Sequence, residues 1–214
     1  MAEASFPRAT PANTLCVVLA GGQGRRMDGA DKGLQAYQGK PLIDHALERL
    51  RGQSWGPALH IGISANRHLD TYATKGYPVW ADAQAGYEGP LQGMLSALQQ
   101  ARTWPVALHY LLIVPCDTPH LPMDLAQRLS DGLQAAHASV AAARAGGRTH
   151  PLACLLSLGL MPELQHYLDS GQRKVQTWME ACSVQWVDFD GPDDTPGAFG
   201  NFNTRADLLA GPGN

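Results

Sequence analysis

The chain has 214 residues, of which 44% are hydrophobic, and a formal net charge of −3 at pH 7. This length fits one domain that buries roughly 70% of its unfolded surface, and the weakly acidic charge excludes a general attraction to nucleic acid or to anionic lipid. The four cysteines show no CxxC spacing and three lie in or beside apolar runs, so we expect reduced thiols and a cytoplasmic protein.

The first residues, 1–13, contain no apolar stretch of the kind that a signal peptide has, and we expect them to form a disordered tail. Residues 14–210 are expected to form a single domain. No apolar run reaches about 18 residues, which excludes a membrane-spanning helix.

The first predicted element is a strand over Leu15–Ala20, a continuous apolar run typical of a parallel strand that is covered on both faces. Residues 21–34 follow without hydrophobic periodicity, and they combine five glycines with Arg25, Arg26 and Lys32. Glycine lets backbone N–H groups approach an anion closely, and the cations neutralise it. We interpret this segment as a phosphate-binding loop.

Helices and strands alternate along the rest of the chain. Helical spacing of apolar residues predicts helices over 42–50, 67–75, 91–98, 121–129, 160–168, 174–182 and 206–210. Apolar runs predict strands over 59–63, 77–80, 107–114, 139–143, 151–156 and 184–189. This alternation implies βαβ units, and therefore a three-layer α/β/α domain with a mostly parallel central sheet.

Candidate binding residues follow several of the predicted strands. They are the loop after Ala20, the segment Ser64–Asn66, Asp82 and Asp117. Ligands of open α/β sheets bind at the carboxyl ends of the strands, near the point where the strand order reverses. We therefore expect these residues to share one site.

Two common phosphate-binding motifs do not fit the sequence. A P-loop requires Ser or Thr after its Gly-Lys pair, whereas Gly39-Lys40 is followed by Pro41. A dinucleotide fingerprint requires a third glycine, where Gly22-Gln23-Gly24 is followed by Arg25, Arg26 and then Met27.

Other motifs occur in a fixed order along the chain. They are Leu19-Ala20-Gly21-Gly22-x-Gly24-x-Arg26-Met27, Asp31-Lys32-Gly33, Gly39-Lys40-Pro41-Leu42, Gly89-Pro90-Leu91-x-Gly93 and Cys116-Asp117-Thr118-Pro119. Together they resemble nucleotidyltransferases, and more narrowly the molybdenum cofactor guanylyltransferases. Ala65-Asn66-Arg67-His68 and Asn201-x-Asn203-Thr204 are also similar, so that the resemblance runs from about Leu15 to Leu209.

The resemblance implies a Rossmann-like fold of the nucleotide-diphospho-sugar transferase type. It also implies transfer of GMP from GTP to the molybdopterin form of the molybdenum cofactor, with Mg²⁺ as the cofactor. The implied partners are GTP, this molybdenum cofactor, and apo-molybdoenzymes or their chaperones, but neither nucleic acid nor a membrane.

Site residues follow from the same resemblance, position by position. It implies GTP contacts at Leu19, Ala20, Gly21, Lys32, the Ser64–Asn66 turn, Asp82 and Asp117. Asp117 also matches the magnesium ligand, and Asn201 and Asn203 match positions on the pterin side of the cleft.

Three positions depart from the family pattern. Relatives often have asparagine where this chain has Ser64, so either Ser64 or Asn66 contacts the nucleotide. The residue after Met27 is Asp28 instead of glycine, and Arg205 replaces the usual proline after Asn-Thr.

Nucleotidyl transfer builds negative charge on the α-phosphoryl oxygens and on the leaving pyrophosphate, so positioning and electrostatics carry most of the catalysis. Arg25, Arg26, Lys32 and the backbone of the glycine loop, including Gly22, are predicted to bind the triphosphate. We expect Lys32, Asp117 and Arg26 to be the catalytic residues. No general base is required, because an acceptor phosphate is already ionised at neutral pH.

Guanine recognition requires acceptors for its ring N–H and amino groups and a donor for its carbonyl. We expect the turn from Gly89 to Gly93 to supply them from its backbone, since glycine lets the main chain approach a base edge. Asn201 and Asn203 alternate along an extended segment, which suits either a ligand face or a polar strand edge.

Several alternatives stay open at this point. A cytidylyltransferase acting on the same cofactor usually has Leu-Ala-Ala-Gly where this chain has Leu19-Ala20-Gly21-Gly22. A sugar-phosphate or isoprenoid-precursor nucleotidyltransferase is more distant. A non-catalytic adaptor that binds nucleotide or cofactor would use the same loop.

Overall fold

The computed structural model describes residues 7–20, 31–82 and 89–210. The strands in these ranges are β1 (Thr14–Leu19), β2 (Ala36–Tyr37), β3 (Lys40–Pro41), β4 (His60–Ser64), β5 (Val79–Trp80), β6 (Tyr110–Pro115), β7 (Val140–Ala145), β8 (Arg148–Ser157) and β9 (Gln185–Asp188). The helices are α1 (Leu42–Arg51), α2 (Leu69–Ala73), α3 (Pro90–Arg102), α4 (Leu125–Ala135), α5 (Met161–Asp169), α6 (Val175–Ala181) and α7 (Arg205–Ala210).

Seven of the strands form one sheet in the order β5-β4-β1-β6-β8-β7-β9. Strands β5, β4, β1 and β6 are parallel to one another, β8 is antiparallel to β6 and β7, and β9 is parallel to β7. The mostly parallel sheet predicted from the alternation is confirmed. The prediction did not include the reversal at β8, which arises because the turn Gly146–Gly147 returns the chain directly as a hairpin.

Helices cover both faces of this sheet. Successive side chains of a strand point to opposite faces. Cys16 and Val18 of β1 accordingly belong to the core that contains α1 and α4, whereas Leu15 and Val17 belong to the core that contains α3, α5 and α6. The three-layer α/β/α architecture is therefore confirmed.

The strand order reverses between β1 and β6. From β1 the chain moves outward through β4 to β5, and it then returns along α3 to add β6 on the other side of β1. The carboxyl ends of these two strands lie side by side, since Leu19 pairs with Pro115 and the Cys116 N–H donates to the Leu19 carbonyl at 3.1 Å. A crevice at this edge is where such sheets bind ligands.

Several boundaries differ from the predicted ones. The segment predicted as a helix over 67–75 contains only the five-residue α2, and Gly76, at φ +81°, follows it. The helix predicted over 121–129 begins instead at Leu125, and Pro122 disfavours helical geometry in the residue before it. The hairpin formed by β2 and β3 was not predicted, since its strands have two residues each.

Part of the predicted tail is packed against the domain. Ala9 is buried, the Ser130 hydroxyl donates to its carbonyl at 3.0 Å, and the Tyr110 hydroxyl donates to the Pro7 carbonyl at 2.8 Å. The ordered contacts therefore begin before the boundary expected at residue 14.

Within the described ranges, the helices are all too short or too polar to cross a bilayer. All four cysteines lie in those ranges and carry free thiols. Cys16, Cys116 and Cys154 are buried, and Cys182 is half-buried.

Candidate active site

Three predicted site residues meet at the carboxyl end of β6. The Lys32 ammonium forms an ion pair with Asp117, and it donates a hydrogen bond to Oδ1 of Asn203 at 2.6 Å. The side chains of Lys32 and Asp117 are 26% and 13% exposed. The sequence placed Lys32 and Asn203 on opposite substrates, whereas the structure brings them into direct contact.

The Asp31 carboxylate holds the turn that carries Lys32 in place. The Asp31 carboxylate is buried, and its Oδ1 accepts hydrogen bonds from the Tyr72 hydroxyl at 2.6 Å and from the Gly33 N–H at 3.1 Å. Burial, the nearby Cys116 and the bond to Asp31 hold the pKa of Tyr72 above its ordinary value, so that the phenol stays protonated and donates. Lys32 is therefore presented from a turn whose backbone is held in place.

Gly33 makes this arrangement possible because it has no side chain. A Cβ at position 33 would lie 2.4 Å from the Tyr72 hydroxyl oxygen, which is closer than real Cβ atoms approach. The motif Asp31-Lys32-Gly33 thus has a structural explanation for its first and last residues. Tyr72 was missed by sequence reasoning, because it lies in a segment that looks like a polar surface helix.

A second group of predicted residues lies at the ends of β4 and β5. The Asn66 amide donates to Oδ2 of Asp82 at 2.7 Å, and the Asp82 N–H donates to Oδ1 of Asn66 at 2.8 Å. Ser64 is buried at the end of β4, and its carbonyl accepts from the Ala20 N–H at 2.8 Å. Asn66 therefore holds Asp82 in position through two hydrogen bonds. The Ser64 hydroxyl lies close to Gly93.

The half-buried carboxylate of Asp82 still has accepting capacity. Its Oδ1 is buried and receives no hydrogen bond from any residue in the described ranges. Burial raises the pKa of Asp82 above its ordinary value, although the nearby Asn66 amide and Ser64 hydroxyl lower it. A buried acceptor of this kind suits a ligand that brings N–H donors.

Gly93 faces this carboxylate from α3. A Cβ at position 93 would lie 3.3 Å from a methyl carbon of Leu19, 3.3 Å from Oγ of Ser64 and 3.5 Å from Oδ1 of Asp82. The expected turn from Gly89 to Gly93 is instead the first turn of α3, so Gly93 contributes the absence of a side chain. Gly89 precedes the helix at φ +92°, a conformation that favours glycine.

The remaining predicted residues fall into two classes. Gly21, Gly22, Arg25 and Arg26 lie outside the described residues. Asn201 is exposed, and its carbonyl accepts a 3.4 Å hydrogen bond from the Asn203 amide.

Asp117 supplies a carboxylate of the kind that magnesium prefers. Mg²⁺ is usually held by one or two carboxylates together with substrate phosphates and water. No three His, Cys, Asp or Glu side chains gather into a metal-binding group in the ranges 7–20, 31–82 and 89–210.

Comparison with known proteins identifies the family of the chain. The family model of the MobA-like NTP transferase domain matches residues 16–185. A relative from Pasteurella multocida named molybdenum cofactor guanylyltransferase is 44% identical over 192 residues, which cover 90% of this chain and 95% of the relative. A relative of the same name from Acidovorax sp. is 43% identical over 206 residues, covering 91% and 92% of the two chains.

Solved structures agree in fold. Molybdopterin-guanine dinucleotide biosynthesis protein A from Archaeoglobus fulgidus superposes with a TM-score of 0.71 at 20% identity, covering 91% of this chain and 94% of that one. A CMP:2-keto-3-deoxy-manno-octonic acid synthetase complexed with CTP gives a TM-score of 0.69 at 13% identity, covering 92% and 95%. The extent of the family match and the identity to these relatives together show that the chain belongs to the family with a MobA-like NTP transferase domain.

Proposed function

We propose that the protein transfers GMP from GTP to the molybdopterin form of the molybdenum cofactor, releasing pyrophosphate. The observation that carries the proposal is the paired lysine and carboxylate, Lys32 and Asp117, at the strand-order reversal between β1 and β6. Relatives named molybdenum cofactor guanylyltransferase at 42–44% identity, matched over about nine tenths of the chain, support the choice of substrates.

The reaction joins an acceptor phosphate oxygen to the α-phosphorus of GTP and breaks the bond to the β-phosphate oxygen. Negative charge develops on the α-phosphoryl oxygens and on the departing pyrophosphate. Lys32, with Arg25 and Arg26 from the glycine loop, would bind the triphosphate and stabilise that charge. Donors fixed before the reaction are effective because they need no reorganisation as the charge forms.

Asp117 is the residue that would hold magnesium. When bound, Mg²⁺ would supply positive charge that offsets the repulsion between two polyanionic substrates. The acceptor phosphate monoester is ionised at neutral pH, so its attack requires no general base from the protein.

Asp82 and Gly93 would select the guanine base. Oδ1 of Asp82 can accept a hydrogen bond from the ring N–H or the amino group of guanine, and Gly93, which has no side chain, faces this oxygen from α3. The backbone at Leu19, Ala20 and Gly21 would contact the nucleotide. Ser64 and Asn66 would hold Asp82 in position. This assignment replaces backbone recognition by the Gly89–Gly93 segment.

Asn201 would contact the acceptor.

The product would pass to apo-molybdoenzymes or their chaperones. The four free thiols suit a cytoplasmic protein.

Thermal unfolding with GTP, CTP and ATP, each with and without Mg²⁺, tests the proposal. A ligand at 100 times its dissociation constant adds about 2.7 kcal/mol to the free energy of unfolding. For a chain of this length the corresponding rise in Tm is roughly 5–10 °C, and we expect it with GTP. A larger rise with CTP would assign the protein to cytidylyl transfer.

Pyrophosphate release in the presence of GTP and the molybdopterin cofactor separates catalysis from binding. We expect release that depends on both substrates. A rise in Tm with GTP but no pyrophosphate would indicate a non-catalytic adaptor.

A further inference from the structure

The Lys32 ammonium has a neutral partner as well as an anionic one. Asp117 supplies the anionic contact, and Oδ1 of Asn203 accepts at 2.6 Å from a position 171 residues away in sequence. Since the lysine side chain is only 26% exposed, its partners largely determine where the ammonium lies.

Asn203 is itself held rigidly. Its N–H and that of Thr204 donate to the Asp207 carboxylate at 2.7 and 2.8 Å, which lowers the pKa of Asp207. The preceding residue, Phe202, is fully buried, and its N–H donates to the Asp117 carbonyl at 3.0 Å. The amide oxygen of Asn203 is therefore presented to Lys32 from a backbone fixed on both sides.

Asp117 has two roles in the proposed reaction that compete for its carboxylate. With its oxygens on a metal ion, Asp117 would neutralise the Lys32 ammonium less, and a cation would become a neighbour of Lys32. Among the described residues, the Asn203 oxygen would then remain as an acceptor for Lys32. Because an amide is neutral, it positions the ammonium without cancelling the charge that the triphosphate requires.

We propose that Asn203 is a positioning residue for Lys32, which keeps the ammonium directed at the triphosphate when Asp117 is engaged. This inference rests on the proposed function, and it gives Asn203 a role on the nucleotide side of the site in place of the acceptor contact expected from sequence.

A double-mutant cycle tests the inference. The affinity for GTP, with and without Mg²⁺, is measured by calorimetry for the wild type, Lys32→Ala, Asn203→Ala and the double variant, and the KM for the acceptor is measured beside it. We expect Asn203→Ala to weaken GTP binding roughly tenfold in the wild type and less than about twofold in the Lys32→Ala background, because contacting residues couple. The KM for the acceptor should stay within about twofold.

Asn201→Ala is the matched control, since it removes the same amide from an exposed position two residues away. Its effect, whatever the size, should be equal in both Lys32 backgrounds. Asn203→Asp provides a second variant that retains an oxygen acceptor but neutralises the ammonium, and we expect it to bind GTP more weakly than Asn203→Ala. Thermal unfolding without ligand checks that each variant folds.

Equal losses from Asn203→Ala in the two backgrounds would overturn the inference, as would a raised acceptor KM with unchanged GTP affinity. If Lys32→Ala itself left GTP binding and turnover intact, the proposed function would fail together with this inference. If Lys32→Ala strongly weakened GTP binding but Asn203→Ala had the same effect in both Lys32 backgrounds, this inference would fail and the proposed function would stand.

Discussion

Lys32 connects distant parts of the chain, because its ammonium contacts Asp117 after β6 and Asn203 before α7. The turn that carries it depends on the Asp31 carboxylate, which the Tyr72 hydroxyl and the Gly33 N–H engage together. A lysine fixed in this way differs from a solvated surface lysine, since its charge is aimed before the substrate arrives.

Replacing Lys32 by alanine should lower kcat by roughly 10²- to 10³-fold, the usual effect of deleting one preorganised donor. The measurement is steady-state pyrophosphate release. Lys40→Ala is the control, because Lys40 pairs with Glu48 at 2.8 Å on the exposed surface. A loss below about fivefold in correctly folded Lys32→Ala would refute the catalytic role.

Replacing Gly93 by alanine should weaken GTP binding while leaving the fold intact. The added Cβ would lie 3.3 Å from both Leu19 and Ser64, which would have to shift, and 3.5 Å from Oδ1 of Asp82, the oxygen proposed to accept from the base. Alanine also favours a helix interior over glycine by up to about 1 kcal/mol. Calorimetric titration with GTP is the measurement, and Gln100→Ala on the exposed side of α3 is the control. Unchanged GTP affinity would place the base elsewhere.

At the scale of elements, α2 shows how a short helix supports a site that it does not enter. It has only five residues, yet its Tyr72 is fully buried between the Lys32 turn and the core. Through the Tyr72 hydroxyl, the placement of α2 therefore determines where the Asp31 carboxylate lies.

Tyr72→Phe should reduce both stability and activity. Removing the hydroxyl leaves a buried carboxylate oxygen with one donor fewer, which costs about 1–3 kcal/mol. The Lys32 turn should loosen, so that kcat falls more than the KM for GTP rises. Urea unfolding and steady-state kinetics measure the two effects.

Tyr167→Phe is its control, because the Tyr167 hydroxyl of α5 donates an exposed hydrogen bond to the Lys174 carbonyl at 3.0 Å, away from the Lys32 turn. It should leave kcat unchanged. If both variants behaved alike, the Tyr72–Asp31 bond would have no special part in the site.

How far sequence predicts these elements depends on the range of the interactions that form them. The strand over Leu15–Ala20 and the helix beginning at Leu42 follow from local periodicity, and both are confirmed. The β2–β3 hairpin and the burial of Tyr72 depend on contacts with distant residues, which leave no local pattern. The motifs identified Lys32, Asp117 and Asn203, but only the fold shows that their side chains touch.

On the scale of the whole molecule, one continuous sheet with two covered faces runs through the described residues, and the single domain over residues 14–210 stays a prediction. The buried cysteines report on the integrity of both faces, because Cys16 lies in one core and Cys154 in the other. Burial raises the pKa of Cys16 to about 12 and also raises that of Cys154.

The rate of thiol labelling should therefore be higher for Cys182 than for the three buried cysteines. A thiol reacts as its thiolate, so raised pKa values and burial both slow the reaction near neutral pH. Burial and the nearby Glu163 raise the pKa of Cys182 to about 11, but it is only half-buried and should react first. Absorbance of released chromophore from a disulfide reagent gives the rates, with Cys182→Ser as the control. Rapid labelling of two or more thiols in the native protein would contradict the packed core.

The contact between Lys32 and Asn203 also affects the order of events during folding. Hairpins such as β7–β8 close short loops and form within microseconds, whereas a contact across 171 residues must first overcome a large loss of chain entropy. Topologies rich in contacts of such long range fold slowly. We therefore expect Lys32 to acquire its Asn203 partner only after the β7–β8 hairpin has formed, so that the ammonium is positioned late in folding.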